Sequence, residues 1–452
     1  MNASNQDLSE TSAARRRVLA AGGALMLASP WAFGQSGAAA LRIAVPQAPW
    51  YESFEHLTTV YERSSASKVT SDVSPFAGLL DKTRNAVRAS ESPFDLVCIN
   101  AQFIPEFYVG GFLEPLARID PHFKLQPEVV GFDNTLRWNR TAEAFAADGE
   151  VMAIPVNGNI QLLYYRADLY AKKNLKVPKT WDELAANAKA LAEDGIAGFG
   201  FRGNRGFFES SYDFYPLLAS FGGDIFSSPA TGDYTVAVTS PKALRALQFL
   251  QALGNDSGPR GGVGSLTQAR LIQLMTSGKM AQAMLVSAVW PQMDDAQRSA
   301  VVGKVNVAPL PMGPSGKAVT TLGHWIAAVP RNLPPERKKA ALAFLDWFQQ
   351  KTTQMQYRDV GAVPVRQDVL TTDAGADPKF RLLPAIAASS ANTRLMLPVP
   401  QAAEIADAME LQINKVLTGG ATPAAGLNQM ARDIESVMQK AKMKTGRLPD
   451  LA

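Results

Sequence analysis

The residues of this chain that could do chemistry are amides and flat rings rather than nucleophiles. The stretch AIPVNGNIQLLYYRADLY, Ala153 to Tyr170, carries Asn157, Asn159 and Gln161 on alternate positions of a strand-like segment, with Tyr164 and Tyr165 close behind. Comparable groups stand at other strand ends and in the adjoining loops. They are Trp50 and Tyr51 after LRIAVPQ, Asn100 and Gln102 after FDLVCIN, and Arg202 with Asn204 after GFGF. Further along come Tyr212, Asp213 and Tyr215, then Trp290, then His324 and Trp325. An aromatic face beside planar hydrogen-bonding groups suits a sugar, whose ring offers C–H faces and whose hydroxyls both donate and accept.

Catalytic patterns are missing. The sequence has no G-x-S-x-G elbow, no H-E-x-x-H and no phosphate-binding G-x-x-x-x-G-K-[ST] loop. Its three histidines, His56, His122 and His324, lack paired-ligand spacing, so no metal is expected. Cys98 lies in the apolar run FDLVCIN and reads as an inert core thiol. GFGFRG, Gly198 to Gly203, fits G-x-G-x-x-G, but it follows a helix within an alternating apolar segment and so reads as a strand, not a dinucleotide loop. An enzyme of the polysaccharide lyase or hydrolase kind would need a carboxylate pair, for which Glu209 and Asp213 are the acids at hand. The adjacent Tyr164 and Tyr165 raise ferric-iron binding as an alternative, although successive strand side chains point to opposite faces. Polyamine binding would need clustered carboxylates, which these positions do not supply.

The elements that must position these groups alternate between strand and helix, which predicts an α/β architecture. LRIAVPQ is a strand, and Ser53 to Arg63 a helix with Phe54, Leu57 and Tyr61 on one side. FDLVCIN has the continuous apolar character of a strand covered on both faces. KTWDELAANAKALAEDG is a helix with Thr180 and Glu183 as a capping box and Trp181, Leu184, Ala185, Ala188, Leu191 and Ala192 on its buried stripe. Ser240 and Pro241 open another, and TQARLIQLMTSG a third that Gly278 stops. KMAQAMLV is a strand. PPERKKAALAFLDWFQQK, Pro400 to Thr418 and Pro423 to Lys444 are helices.

At 452 residues two or three domains are expected, since domains run to about 100–200 residues each. With 46% apolar and 19% charged residues the chain can bury a large core, and a net charge of +4 without a long basic run argues against nucleic acid. The first 40 residues read as an export signal: a polar lead, Arg15-Arg16-Arg17, the apolar run Val18 to Ala28, then a small-residue patch suited to cleavage near Gln35. ARRRVLA resembles the twin-arginine export motif. The apolar run is shorter than the roughly 20 residues that span a bilayer. With a single cysteine, and none near the cleavage site, neither an internal disulfide nor a lipid anchor is expected, and the product is a soluble periplasmic protein.

Over residues 41–452 the chain resembles the sugar-class extracellular solute-binding proteins of ABC transporters, the group that includes maltose-binding proteins. The resemblance rests on the order and spacing of FDLVCINAQFIPEFYVGGFLEPL, AIPVNGNIQLLYYRADLY, VPKTWDELAANAKALAE, YDFYPLLASFGGDIF, SGKMAQAMLVSAVW and VNVAPLPMGPSGKAVTTLGHWIAAVP. It implies a two-lobe periplasmic-binding-protein fold of type II that closes on ligand by hinge bending. Residues 1–40 are then the signal, 41–155 with 327–375 the first lobe, and 156–326 with 376–452 the second. Pro155 to Leu163 becomes the first crossing strand, and Gly323 to Trp325 border the second crossing. The resemblance places Trp50, Tyr51, Asn100 and Gln102 on first-lobe loops and Asn159 at the polar contact on the crossing. Tyr212 and Tyr215 become second-lobe aromatic contacts and Trp290 the stacking tryptophan, while Asn157, Arg202, Asp213, His324 and Trp325 complete the candidate set. Asn159 stands where maltose binders carry an acid, and Tyr215 where they carry Trp, so a malto-oligosaccharide is not the implied ligand. The implied protein is a monomer without cofactor that delivers a carbohydrate to membrane permeases. A ligand-loaded sensor for a receptor has the same sequence features.

Overall fold

The computed structural model describes residues 40–452 apart from 66, 133, 194 and 373–376. The expected export signal therefore lies outside the described residues. The strands that position the site are, in chain order, β1 (Leu41–Pro46), β2 (Val69–Ser74), β3 (Leu96–Asn100), β4 (Ala153–Asn157), β5 (Gln161–Arg166), β6 (Gln282–Val286), β7 (Val305–Ala308) and β8 (Trp325–Ala328).

They make two main sheets. The first has the order β2-β1-β3-β8-β4, with β1 parallel to β2 and β3 and β8 antiparallel to β3 and β4. Every residue of β3 and β4 is buried, as continuous apolar strands covered on both faces require. The second has the order β6-β5-β7, antiparallel throughout. The chain passes from β4 in one sheet to β5 in the other through residues 158–160 alone, and returns from β7 to β8 through residues 309–324. Two sheets joined by these passes form a two-lobe α/β fold.

The helices follow local rules. Helix α1 (Tyr51–Ser65) starts two residues ahead of the expected position and buries Phe54, Leu57 and Tyr61 against the first sheet's core. Helix α2 (Phe76–Arg88) follows β2, with Pro75 ahead of its first turn. In α3 (Trp181–Leu191) the Thr180 hydroxyl accepts from the Glu183 amide at 3.2 Å, while the Glu183 carboxylate accepts from Lys179 N at 2.6 Å, one residue before the cap. Helix α4 (Ser210–Ser220) buries ten of its eleven residues, because it packs against the helices Pro241–Ser257 and Ala402–Leu417 and the short strand Thr320–Thr321. Ser240 caps α5 (Pro241–Ser257) and Thr267 caps α6 (Gln268–Thr276), each accepting at 3.2 Å. Helix α7 (Pro335–Phe348) closes over α1 through Phe344 and Phe348, and α8 (Ala402–Leu417) and α9 (Pro423–Lys440) pack on α4 and α5.

GFGFRG is not a regular strand. Within it Gly200 makes an isolated parallel bridge to Ala283 of β6, and just before it Ala197 makes another to Met280, while Phe199 and Phe201 are fully buried. A Cβ at Gly200 would come within 2.6 Å of the Met280 side chain, so its glycine answers to packing and not to a phosphate.

Candidate functional site

Beyond the carboxyl ends of β1 and β3, where open α/β sheets bind their ligands, lies a cavity of about 160 Å³. The first lobe contributes Pro46 to Trp50, Phe76, Asn100, Gln102 and, from β8 and its approach, Gly323 and Trp325. Opposite them stand Arg202, Phe207, Phe208, Glu209, Tyr212, Gln268 and Val286, with Asn159 on the crossing between. Larger hollows lie elsewhere, about 760 Å³ beside Lys242, about 590 Å³ beside Thr418 and about 500 Å³ beside Tyr215. None of these sits at the ends of β1 and β3.

The amides are set by short local bonds. Asn100 ends β3 and its Oδ1 accepts from Gln102 N at 3.2 Å, turning the chain so that Gln102 Nε2 donates to Leu322 O at 2.8 Å. Gln102 Oε1 is left buried without a hydrogen-bond partner among the described residues. Asn159 Oδ1 accepts from Ser287 Oγ at 3.1 Å and Ala288 N at 3.0 Å, which leaves its Nδ2 as the end available to the cavity. Trp50 is 2% exposed, packs edge-on against Phe54 and lies 6.0 Å from the Trp325 ring. Its Nε1–H likewise has no partner among the described residues. A buried donor and a buried acceptor left unpaired cost about 1–3 kcal/mol each, a cost that a ligand hydroxyl would offset.

The second-lobe wall is a charged network beneath aromatics. Asp213, fully buried in α4, accepts from Arg202 N and Arg202 Nε at 2.7 Å each and from the Gln161 amide. Burial opposes the Arg202 charge, but the Asp213 and Glu209 carboxylates more than offset it, and the guanidinium is held above its ordinary value. It lies 4.4 Å from the Tyr212 ring, and the Tyr212 hydroxyl donates to Thr321 O at 3.1 Å. Glu209 accepts from Gln268 N at 3.1 Å, and burial pushes its carboxyl up to about 7. A Cβ at Gly323 would stand 2.1 Å from the Tyr212 hydroxyl, so only glycine allows this approach of the lobes.

Of the thirteen candidates, the cavity gathers Trp50, Asn100, Gln102, Asn159, Arg202, Tyr212 and Trp325. The other six stand apart from its lining. Tyr51 belongs to the first turn of α1, where its hydroxyl donates to Glu55 at 2.9 Å on the exposed side. Asn157 is fully buried within β4, paired in register with Trp325. Asp213 acts through Arg202. Tyr215 faces the 500 Å³ hollow, three residues along α4 from Tyr212 and so about 60° round the helix. His324 is stacked on Phe132 at 4.5 Å, with Nε2 3.0 Å from Thr135 Oγ1, and burial lowers it to about 3, so it is neutral. Trp290 packs at 6.3 Å from Tyr164 under Arg381, 4.2 Å from its ring, and its indole N–H donates to Lys379 O. The apolar run before Trp290 carries it past the strand end into that contact.

The sequence reading missed Phe76, Phe207 and Phe208. The pair in NRGFFES, two rings within a polar, glycine-flanked loop, was the available signal. Phe208 has φ +59°, a conformation that is costly for a bulky side chain, at roughly 1–3 kcal/mol. The two phenols of the iron reading separate: Tyr164 donates to Val286 O at 3.0 Å within the main core, and Tyr165 packs 4.8 Å from Tyr170 in a different cluster. Among the described residues no three of His, Cys, Asp and Glu gather as metal ligands.

A two-lobe fold with a polar and aromatic cavity between its lobes defines a binding protein. The chain matches the bacterial extracellular solute-binding protein family over residues 61–381 and belongs to it. A binding protein of Brucella abortus is 26% identical over 400 residues, 86% of this chain and 90% of that one. A solute-binding protein of an ABC transporter from Agrobacterium radiobacter K84, solved with ribitol, superposes with a TM-score of 0.77 at 22% identity, covering 88% of this chain and 98% of the other. The maltose-bound MalE3 of T. maritima gives 0.76 at 25% identity, covering 88% and 100%. The family is one of substrate-binding proteins and not of enzymes.

Proposed function

We propose that this protein is the periplasmic ligand-receiving subunit of an ABC importer, and that the cavity between Trp50 and Tyr212 takes a neutral carbohydrate or polyol. The carrying observation is the pair of unpaired buried groups, Trp50 Nε1–H and Gln102 Oε1, on a cavity that the rings of Phe76, Phe207, Phe208, Tyr212 and Trp325 also line. A hydroxyl satisfies a donor and an acceptor at once, and a C–H face lies against the aromatics, so a polyol answers both features without any charge of its own. Among the described residues lining the cavity the cation is Arg202, and it is already held by Asp213, so nothing there calls for an anionic ligand.

On this reading the lobes comprise 41–155 with 327–375 and 156–326 with 376–452, except that β4 as far as Asn157 and β8 with its approach from Gly323 go with the first lobe, whose sheet these strands join, and ligand closes the lobes by hinge bending. The chain is exported with its signal removed near Gln35, acts as a monomer and presents the closed form to membrane permeases. The test is calorimetric titration of the mature protein with ribitol, mannitol, glucose and maltose. Saturable binding of at least one neutral compound, weakened tenfold or more by Gln102→Ala, is expected. Binding of none, or affinity untouched by that substitution, overturns the assignment.

A further inference from the structure

Four rings from both lobes, Phe76, Trp325, Phe207 and Phe208, close one side of the cavity, with Phe103 packed behind them. Phe76 at the start of α2, Phe103 after β3 and Trp325 in β8 come from the first lobe. Phe207 and Phe208 come from the loop ahead of α4. Phe207 lies edge-on to Phe76 at 5.0 Å and stacked on Phe103 at 5.6 Å, while Phe208 meets Phe103 edge-on at 5.3 Å and Phe76 meets Trp325 at 5.4 Å. Such interlocked geometries are the ones in which ring quadrupoles attract.

The loop that carries the pair is pinned from behind. Asn204 N donates to Leu266 O at 3.1 Å, Gly206 N to Glu410 at 3.1 Å, and Arg202 Nη1 to Phe208 O at 3.4 Å. The left-handed backbone at Phe208 persists only because these bonds over-determine it, and it turns two consecutive rings toward the first lobe. The space they leave, about 160 Å³, is well under the roughly 300–1,000 Å³ of sites for drug-sized ligands.

We infer that Phe207 is a specificity-determining end wall, formed when the lobes meet, that limits the ligand to a single sugar unit or a short acyclic polyol. A second ring in a chain of sugars would have to occupy the place of the Phe207 side chain. The inference rests on the carbohydrate reading above and narrows it.

Calorimetry on wild type, Phe207→Ala and Phe207→Leu with ribitol, mannitol, glucose, maltose and maltotriose tests it. Wild type is expected to prefer the best single-unit compound over maltotriose by at least 100-fold, and Phe207→Ala to reduce that ratio at least tenfold, with Phe207→Leu between. Both variants should retain the wild-type far-ultraviolet spectrum, since Phe207 is only half-buried. Wild type binding maltotriose as tightly as single units, or a ratio unmoved in Phe207→Ala, overturns the wall while leaving the carbohydrate site in place. If no compound binds any of the three proteins, the carbohydrate reading itself fails and takes the wall with it.

Discussion

Arg202 and Asp213 form a buried ion pair in which one carboxylate accepts from both the backbone N–H and the side-chain Nε of the same arginine, at 2.7 Å each. Asp213 is thereby spent on orienting a cavity wall and has no free oxygen for catalysis or for ligand. Arg202 gains a fixed plane against Tyr212, so the aromatic and the cation move as one unit with α4.

Breaking that pair leaves an uncompensated buried charge. Asp213→Asn is expected to destabilise the protein by about 3–5 kcal/mol, and the double variant Arg202→Met with Asp213→Leu to recover part of the loss, because removing both charges removes the desolvation cost. Urea unfolding of the three proteins measures this. A double variant less stable than Asp213→Asn would contradict the argument.

Glu209 should make stability depend on pH. Its carboxyl is raised from 4.5 to about 7, chiefly by burial and against the pull of Arg202, so the folded state favours the protonated form. For a carboxyl raised on folding, the contribution is fully present below pH 4.5 and is lost as pH rises through about 7. Glu410 beside it is also raised by burial and titrates in the same network, so the comparison must be with Glu209→Gln. The difference between wild type and Glu209→Gln should shift by about 2–3 kcal/mol between pH 4.5 and 7.5, in favour of the variant at high pH. Parallel stability curves would show that Glu209 is not the titrating group.

Gly323→Ala places a methyl against the Tyr212 hydroxyl, which is fixed to Thr321 O. Neither side of the contact can yield without parting the lobes or losing that bond. A loss of about 1–3 kcal/mol in stability is expected, together with at least tenfold weaker ligand binding. Adding Tyr212→Phe, which shortens the clash, should restore part of the stability; no recovery would place the strain elsewhere.

How much of this was legible in the sequence depends on which force decides each residue. FDLVCIN and most of the α3 stripe could be read because burial and capping are local and periodic: Trp181, Leu184, Ala188 and Leu191 are buried as expected, whereas Ala185 is only partly buried and Ala192, just past the helix end, is exposed. Trp50, Asn100, Gln102 and Asn159 could be placed because strand ends of an α/β sheet converge. Trp290 and Tyr215 could not, since one extra residue at a strand end or about 60° of rotation on a helix decides which hollow a ring enters. Phe207 and Phe208 escaped for a further reason: they lie in no periodic element, and the left-handed turn that aims them is held by Arg202, six residues back, and by Glu410 from a distant part of the chain.

Trp50 separates binding from folding most directly. Its ring is needed for packing against Phe54 and Trp325, but its N–H has no partner among the described residues. Trp50→Phe keeps an aromatic ring in place while deleting the unsatisfied donor. Stability should therefore change by less than about 1.5 kcal/mol, because the lost contact area is offset by relief of a buried unpaired group. Ligand affinity should fall by about tenfold, the worth of one hydrogen bond to a hydroxyl. Trp290→Phe serves as the control: it removes the bond to Lys379 O and lowers stability, and with its ring outside the cavity it should leave affinity within about twofold. A Trp290 variant that lost affinity as Trp50→Phe does would return the stacking role to Trp290 and move the ligand away from the Trp50 wall.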